Sequence, residues 1–279
     1  MVRDLSGRLD LCSINTATLG FQAPIGEVVE AVARAGFGGI APWRREVEGL
    51  DVTIISRRIK DAGLQVTGYC RSSFIPATTN PEFLQNIETN KRAIADAATL
   101  GAQCFVMVVG SLPEGSKDLG VARAQVSEAS CLLADFGKSV GVRLALEPLH
   151  PVYGANRSCL TLLAEALDIC DQHNDSWLGV LVDVYHLWWD PYLARDIKRA
   201  GDRIFGFHVC DWLRDTQDVL NDRGMMGDGV IDIPGIRAMV EAAGYQGLVE
   251  CEIFSANNWG KRPMAETLKV CAERFSSDV

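Results

Sequence analysis

The chain has 279 residues, of which 48% are hydrophobic and 23% charged, a balance typical of a soluble enzyme with a large core. Its formal net charge is −9 and it has no block of Lys or Arg, which argues against a nucleic-acid or acidic-membrane surface. It also has no apolar run of membrane-spanning length, no apolar signal segment and no CxxC among its nine cysteines, so we expect a cytoplasmic protein with reduced thiols.

The predicted elements alternate between strand and helix along the whole chain. Strands are predicted near residues 9–16, 38–42, 65–70, 104–109, 143–148, 178–184, 204–209 and 247–253. Helices are predicted near residues 25–35, 52–62, 82–100, 119–140, 159–172, 191–200, 234–243 and 263–275. Eight such units in a chain of this length favour an α/β fold with a single (β/α)8 TIM barrel over residues 1–279, rather than an open doubly wound sheet.

A repeated junction marks the ends of most of the predicted helices. An amphipathic segment ends in a glycine, and one or two residues later an apolar run begins, as in RAGFGGI and SVGVRLALE. The glycines that suit the left-handed position closing a helix are Gly36, Gly63, Gly101, Gly141, Gly201 and Gly244. Between Gly141 and Gly201 one junction lacks such a glycine, and there Asn174 is predicted to close the helix; Asn80 is predicted to cap the third helix.

Ionisable residues gather at the ends of the last four predicted strands. In chain order they are Glu147 and His150, Asp183 and His186, His208 and Asp211, and Glu250 and Glu252. The carboxyl ends of barrel strands meet at one rim, where TIM-barrel enzymes carry their active sites. Each residue alone also fits a structural role: Asp183 as a turn cap, His208 as a core histidine, Glu252 as an arginine partner and Asp211 as a loop anchor.

The clustering itself favours a metal site. Buried carboxylates repel one another, and each is costly to ionise unless a cation lies nearby. We therefore predict that Glu147, Asp183, His208 and Glu252 hold one divalent ion. Three carboxylates and one imidazole suit Mn²⁺ or Mg²⁺, with Co²⁺ as an alternative, better than a structural zinc.

Aromatic and basic residues follow the other predicted strands and are expected to bind substrate. Trp43 and Arg44 follow strand 2, and Arg71 follows strand 3. The segment 213–233 is too long and polar for a plain connection and is predicted to form a lid, with Arg223 and Asp228 contacting the substrate. Neither a GxGxxG nor a Walker motif is present, so no nucleotide cofactor is expected.

The order Glu-Pro, Asp-x-x-His, His and Glu-x-Phe on strands 5 to 8 resembles the sugar phosphate isomerase/epimerase family of xylose-isomerase-like barrels. Ketose 3-epimerases and inosose dehydratase belong to that family. The resemblance implies that Glu147, Asp183, His208 and Glu252 take the metal-ligand positions. It further implies that Glu147 and Glu252 exchange protons with the substrate and that His186 lies near it.

The implied reaction removes a proton next to a keto-sugar carbonyl, with the metal stabilising the enediolate. One departure concerns EPLHP, where His150 stands in place of an Asn of the epimerases; His150 is then either a general base or a hydrogen-bonding partner of the substrate. Alternatives are a lyase, either a dehydratase or a subunit that eliminates an aglycone from a 3-keto glycoside, and a non-catalytic sugar-binding subunit. The expected substrate is a small sugar or glycoside. The protein is expected to form a homo-oligomer, or a hetero-oligomer with a smaller subunit.

Overall fold

The computed structural model describes residues 2–279 and contains one sheet of eight parallel strands. The strands are β1 Cys12–Asn15, β2 Gly39–Ala41, β3 Gln65–Val66, β4 Cys104–Met107, β5 Arg143–Leu146, β6 Leu178–Asp183, β7 Ile204–Val209 and β8 Val249–Cys251. Their order in the sheet is β3-β2-β1-β8-β7-β6-β5-β4. Strands consecutive in the chain are therefore neighbours, except that β3 and β4 are not paired with each other within the sheet, and β1 also pairs with β8.

Hydrogen bonds beyond the ends of the short strand β3 close this ring. The backbone N–H of Tyr69 donates to the carbonyl of Cys104, and the N–H of Val106 donates to the carbonyl of Tyr69, both at 3.1 Å. Tyr69 and Phe105 form an isolated parallel bridge. The predicted (β/α)8 TIM barrel is therefore confirmed. Strand β3, Gln65–Val66, is shorter than the predicted 65–70, although the N–H groups of Thr67 and Cys70 still donate to the carbonyls of Ile40 and Pro42.

Helices surround the barrel. They are α1 Ile25–Arg34, α2 Arg44–Val47, α3 Val52–Asp61, α4 Asn80–Leu100, α5 Leu119–Val140, α6 Leu163–His173, α7 Val184–Leu187, α8 Leu193–Ala200, α9 Ile233–Ala242 and α10 Met264–Ser277. The short helices α2 and α7 were not predicted; each is a single turn that follows a strand end. No helix within residues 2–279 is long and apolar enough to cross a membrane.

The predicted helix ends hold with two corrections. The six glycines all have positive φ, and Asn174 closes α6 with a φ of 44°. The predicted cap at Asn80 is wrong by one residue, because the Thr79 hydroxyl accepts the N–H of Glu82 and the Glu82 carboxylate accepts the N–H of Thr79. Helix α6 starts later than the predicted residue 159, because the Glu165 carboxylate accepts the N–H groups of residues 161 and 162 and so fixes the first turn there.

The barrel interior combines an apolar cluster with buried polar side chains. Inward-facing residues form a small cluster apart from the main core between strands and helices; its buried members are Cys70, Cys104, Val106, Ala145, Leu181 and Phe205. Polar side chains replace this packing at the carboxyl ends of the strands. The fold thus brings charged side chains together at one rim of the barrel.

Candidate metal centre

Four ionisable side chains from consecutive strands converge at this rim. Glu147 follows β5, Asp183 ends β6, His208 lies in β7 and Glu252 follows β8. One potential ligand atom from each lies within 4.8 Å of those of the other three, and all four residues are buried. The structure thus brings together the complete set of predicted ligands.

Two of these atoms lack any other partner. The Nδ1 atom of His208 and the Oε1 atom of Glu147 are both buried and form no hydrogen bond with any residue the structure describes. They lie 3.8 Å apart, and His208 Nδ1 lies 3.7 Å from Oε2 of Glu252. These separations are too long for hydrogen bonds. Two atoms each about 2.1 Å from one ion can be separated by such distances, so the donor set fits a shared divalent cation.

The other ring nitrogen of His208 is held by a residue to which the sequence assigned no role. Nε2 of His208 lies 3.0 Å from Oε1 of Glu250 and donates to it. Glu250 also accepts a hydrogen bond from Thr67 at 2.6 Å and one from Asn15 at 2.8 Å. A carboxylate on one ring nitrogen leaves the lone pair of the other free for a metal. Glu250 thereby directs Nδ1 of His208 toward the other three ligands.

The carboxylates of the set are hard to ionise in the absence of a cation. Burial, and then the charge of Glu252, raise the pKa of Glu147 to about 8. Burial raises the pKa of Asp183 to about 6, although the guanidinium of Arg223 opposes that shift. A divalent ion would remove this desolvation and repulsion penalty, which agrees with the reasoning from sequence.

Arg223 supplies part of the missing positive charge. Its guanidinium is 3% exposed, and Nη1 lies 3.1 Å from Oε2 of Glu252 and 3.3 Å from Oδ2 of Asp183. Nη2 lies 3.3 Å from Nε2 of His186, while Nδ1 of His186 accepts the backbone N–H of His150. Burial and the neighbouring Arg223 lower the pKa of His186 well below its usual value, so this imidazole is neutral at pH 7.

A cavity opens above the ligands. Its inner part, about 30 Å³, is lined by Glu147, Glu252, His186 and Arg223 among others. It shares five lining residues with an outer part of about 540 Å³, namely Trp43, Arg71, Arg157, Leu220 and Phe254. Asp183 and His208 line neither part. Of the four candidate ligands, the two glutamates are therefore the ones that face the opening.

The predicted substrate-binding residues divide into two groups. Trp43, Arg71, His186 and Arg223 line the cavity, and Arg44 lines its outer part, where it also pairs with Glu48. Asp228 does not reach the cavity, so its predicted contact with substrate is not supported. The Asp228 carboxylate instead accepts the N–H of Met225 at 3.1 Å and faces the guanidinium of Arg274 at 3.3 Å.

The loop after β7 is held in place by hydrogen bonds to the side chain of Asp211. Asp211 accepts backbone N–H groups of Gly227 at 3.0 Å, Gly229 at 2.8 Å and Ile231 at 3.0 Å. This is the loop-anchoring role that the sequence left open for Asp211. The anchored turn explains why Asp228 points away, since its carboxylate closes the same turn. The backbone of Asp211 also pairs with that of Gly224, which places the adjacent Arg223 over the ligands.

His150, the predicted additional base, lies beside the cavity rather than in its lining. Its half-buried imidazole packs against Trp212 with ring centroids 4.9 Å apart and against Trp189 at 5.7 Å. Nδ1 accepts the N–H of Val152, because His150 caps a short 3-10 turn. The backbone N–H of His150 donates to Nδ1 of His186. The local turn thus diverts this side chain from the position that the sequence suggested, and its role as a base stays a prediction.

Comparison with known proteins gives a consistent result. Residues 29–274 match the family model described as xylose isomerase-like TIM barrel. The 3-dehydroshikimate dehydratase of Pseudomonas putida is 26% identical over 250 residues, which are 86% of this chain and 37% of that protein. Inosose isomerase of Bacillus velezensis is 25% identical over 191 residues, 66% of this chain and 64% of its own length. The chain thus spans little more than a third of the dehydratase.

Among solved structures, protein SMc04130 from Sinorhizobium meliloti 1021 is similar along nearly its entire length. It is 46% identical, with a TM-score of 0.94, over 97% of this chain and 99% of its own.

Proposed function

Because the chain belongs to the xylose isomerase-like TIM barrel family, we propose that it is a divalent-metal-dependent isomerase or epimerase of a small keto substrate. The reaction begins by removing the proton next to the substrate carbonyl. One observation carries this proposal: among the four candidate ligands, Glu147 and Glu252 alone face the cavity. Those two carboxylates are therefore the ones that a bound substrate can touch.

We infer that the two glutamates act from opposite sides of the substrate, and the strand order supports this. They follow β5 and β8, with β6 and β7 between them, so they stand at the two ends of the ligand set. One carboxylate takes the proton from the substrate carbon and the other returns a proton to the opposite face, which inverts that carbon. A positioned general base of this kind contributes about 10²- to 10⁴-fold in rate.

Other residues orient the substrate and exclude water. Bound by the four ligands, Mn²⁺, Mg²⁺ or Co²⁺ would polarise the carbonyl and stabilise the negative charge that develops on its oxygen. Arg223 and His186 line the inner cavity, and we infer that they hydrogen-bond substrate hydroxyls. Trp43 and Phe254 line both parts of the cavity and pack edge to face, with centroids 5.2 Å apart, so they offer aromatic surface to a sugar ring.

A second candidate, dehydration, is supported by the similarity to the Pseudomonas enzyme. It shares the first step. After a carboxylate has removed the proton, the electron pair forms a carbon–carbon double bond and the adjacent hydroxyl leaves as water with a proton from the site. The same two glutamates can serve as base and acid, so the substrate decides between the two outcomes.

The test is solvent exchange by the metal-loaded protein in deuterium oxide. D-fructose, D-psicose, an inosose and 3-dehydroshikimate are incubated separately and examined by mass spectrometry and NMR. We expect deuterium next to the carbonyl of at least one compound, with epimer or isomer formation if the first candidate holds and an unsaturated product if the second does. No exchange with any of them would favour a binding subunit.

Matched variants assign the exchange to the two glutamates. Glu147→Gln and Glu252→Gln, compared at equal metal occupancy, should each slow exchange by about 10²-fold or more. Glu241→Gln is the control. Glu241 lies on α9, is about as buried as Glu147 and Glu252, and pairs with Arg3 and Arg237 away from the cavity. A metal-loaded Glu252→Gln protein that exchanges at the wild-type rate would remove Glu252 from the chemistry.

A further inference from the structure

Among residues 2–279, two arginines that line both the inner and the outer part of the cavity, Arg71 and Arg157, form no ion pair with an acidic residue. Nη1 of Arg71 donates to the carbonyl of Ser72 at 3.0 Å, and its guanidinium lies 4.7 Å from the centroid of the Phe74 ring. Arg157 lies 5.8 Å from the centroid of Tyr153. Within residues 2–279 neither guanidinium pairs with an Asp or Glu, whereas Arg223 in the same cavity is paired with carboxylates.

The two unpaired charges stand where the outer cavity narrows to the inner one. Both Arg71 and Arg157 line both parts. Burial, and then the positive charge of Arg157, lower the pKa of Arg71, so the two guanidinium groups are close enough to repel each other. Two half-buried like charges cost free energy that a bound anion would recover.

The acidic residues of the cavity are already engaged. Glu48 lines the outer part but pairs with Arg44, and Glu147 and Glu252 belong to the candidate metal ligands. No other Asp or Glu lines either part of this cavity among the described residues. The lining of the cavity therefore offers Arg71 and Arg157 no acidic partner beyond Glu48 and the candidate metal ligands.

We propose that Arg71 and Arg157 bind an anionic oxygen group of the substrate, a carboxylate or a phosphate. A guanidinium presents paired donors that match either group, which favours arginine for this task. The other end of the substrate then reaches Glu147 and Glu252 through the inner cavity. This inference rests on the proposed function and narrows it, since the substrate becomes a keto acid or a keto-sugar phosphate rather than a neutral sugar. The outer volume of about 540 Å³ is ordinary for such a ligand.

Calorimetry with charged and neutral probes tests the inference. On the metal-loaded protein, 3-dehydroshikimate is compared with its methyl ester, and D-fructose 6-phosphate with D-fructose; the first pair reports a carboxylate site and the second a phosphate site. Inorganic phosphate is titrated into metal-free protein, where binding to the ion cannot contribute. We expect one anionic probe to bind at least about 10-fold more tightly than its neutral counterpart, as a hydrogen bond to a charged group implies.

Variants assign the effect to the two arginines. Arg71→Gln and Arg157→Gln should each weaken the preferred anion about 10-fold or more and leave its neutral counterpart unchanged, while Arg71→Lys should retain part of the affinity. The matched control is Arg143→Gln. Arg143 also lies over an aromatic ring, 4.4 Å from the centroid of Phe205, and is the first residue of β5, at the opposite end of the barrel.

The outcomes separate the two proposals. Equal affinity for charged and neutral probes, or unchanged anion binding in a folded Arg71→Gln, Arg157→Gln double variant, would overturn the anion site. If anions bind through the arginines but no compound exchanges deuterium, the anion site stands and the proposed reaction fails. If neutral ketoses exchange as fast as their charged counterparts, the reaction stands and the anion site fails.

Discussion

Replacing Glu250 with Gln should weaken metal binding although Glu250 is not a ligand. The wild-type carboxylate accepts the Nε2 proton of His208 at 3.0 Å, and it is fixed in turn by Thr67 at 2.6 Å and Asn15 at 2.8 Å. A glutamine in the same place offers one acceptor oxygen and one NH₂ group. Thr67 and Asn15 compete for that oxygen, so the NH₂ group is directed at His208 in part of the molecules. A donor there favours the tautomer with the proton on Nδ1, which cannot bind a metal.

The magnitude follows from the bond that is lost. A hydrogen bond to a charged group contributes about 1.5–3 kcal/mol, and each 1.4 kcal/mol is about a tenfold change in affinity. We therefore expect the dissociation constant for Mn²⁺ to rise by about 10- to 100-fold, in the range seen when partners of metal-binding histidines are removed. Glu252→Gln, which removes a charged ligand directly, should weaken binding by more.

Competition with a fluorescent chelator measures this affinity without reference to catalysis. Thr67→Val is the matched control, because it removes one hydrogen bond from Glu250 and leaves the contact between Glu250 and His208 in place; its effect should be the smaller one. Nitrogen-15 NMR of the His208 ring reports the tautomer independently. A folded Glu250→Gln protein that binds Mn²⁺ within twofold of wild type would refute the assignment of Glu250 as the residue that orients His208.

Three further predictions address other parts of the molecule. His150→Asn should exchange deuterium at a rate within about threefold of wild type, because the ring packs on Trp212 beside the cavity. Exchange kinetics measure this, and a loss near the 10²-fold contributed by a general base would identify His150 as the base. Asp211→Asn should lower the free energy of unfolding by about 1–3 kcal/mol, measured by urea denaturation, since fewer of its N–H partners stay bonded; an unchanged midpoint would contradict the anchoring role. Removing the metal with a chelator should lower the melting temperature. Adding Mn²⁺ at about 100 times its dissociation constant should then raise the free energy of unfolding by about 2.7 kcal/mol. Identical melting curves with and without metal would contradict a metal site in the folded protein.

The alternation of elements was predictable because local backbone chemistry marks it. A residue such as Gly101 or Asn174 closes a helix in a conformation that most side chains avoid, and the apolar run after it begins a strand. The candidate ligands were predictable for a related reason. Parallel strands that close a barrel present their carboxyl ends at one rim, so Glu147 and Glu252 had to lie near each other once the strand order was known.

Contacts that depend on register and loop path were not predictable in this way. Glu250 lies on the same strand face as Glu252, but its contact with His208 depends on the pairing of β7 with β8, which aligns residue 208 with residue 250. Arg157 belongs to a loop before α6, and no spacing in the chain indicates that it returns beside Arg71. The turn anchored by Asp211 likewise decides that Arg223 faces inward and Asp228 does not.

Anomalous diffraction from crystals soaked in Mn²⁺ can show directly whether the four candidate ligand side chains on consecutive strands hold one divalent ion. We predict one strong anomalous peak about 2.1–2.2 Å from the carboxylate oxygens of Glu147, Asp183 and Glu252 and from Nδ1 of His208. Nε2 of His208 should remain within hydrogen-bonding distance of Oε1 of Glu250, as at 3.0 Å here. No peak at this position in crystals at neutral pH, or a peak elsewhere with these four side chains unchanged, would contradict the account.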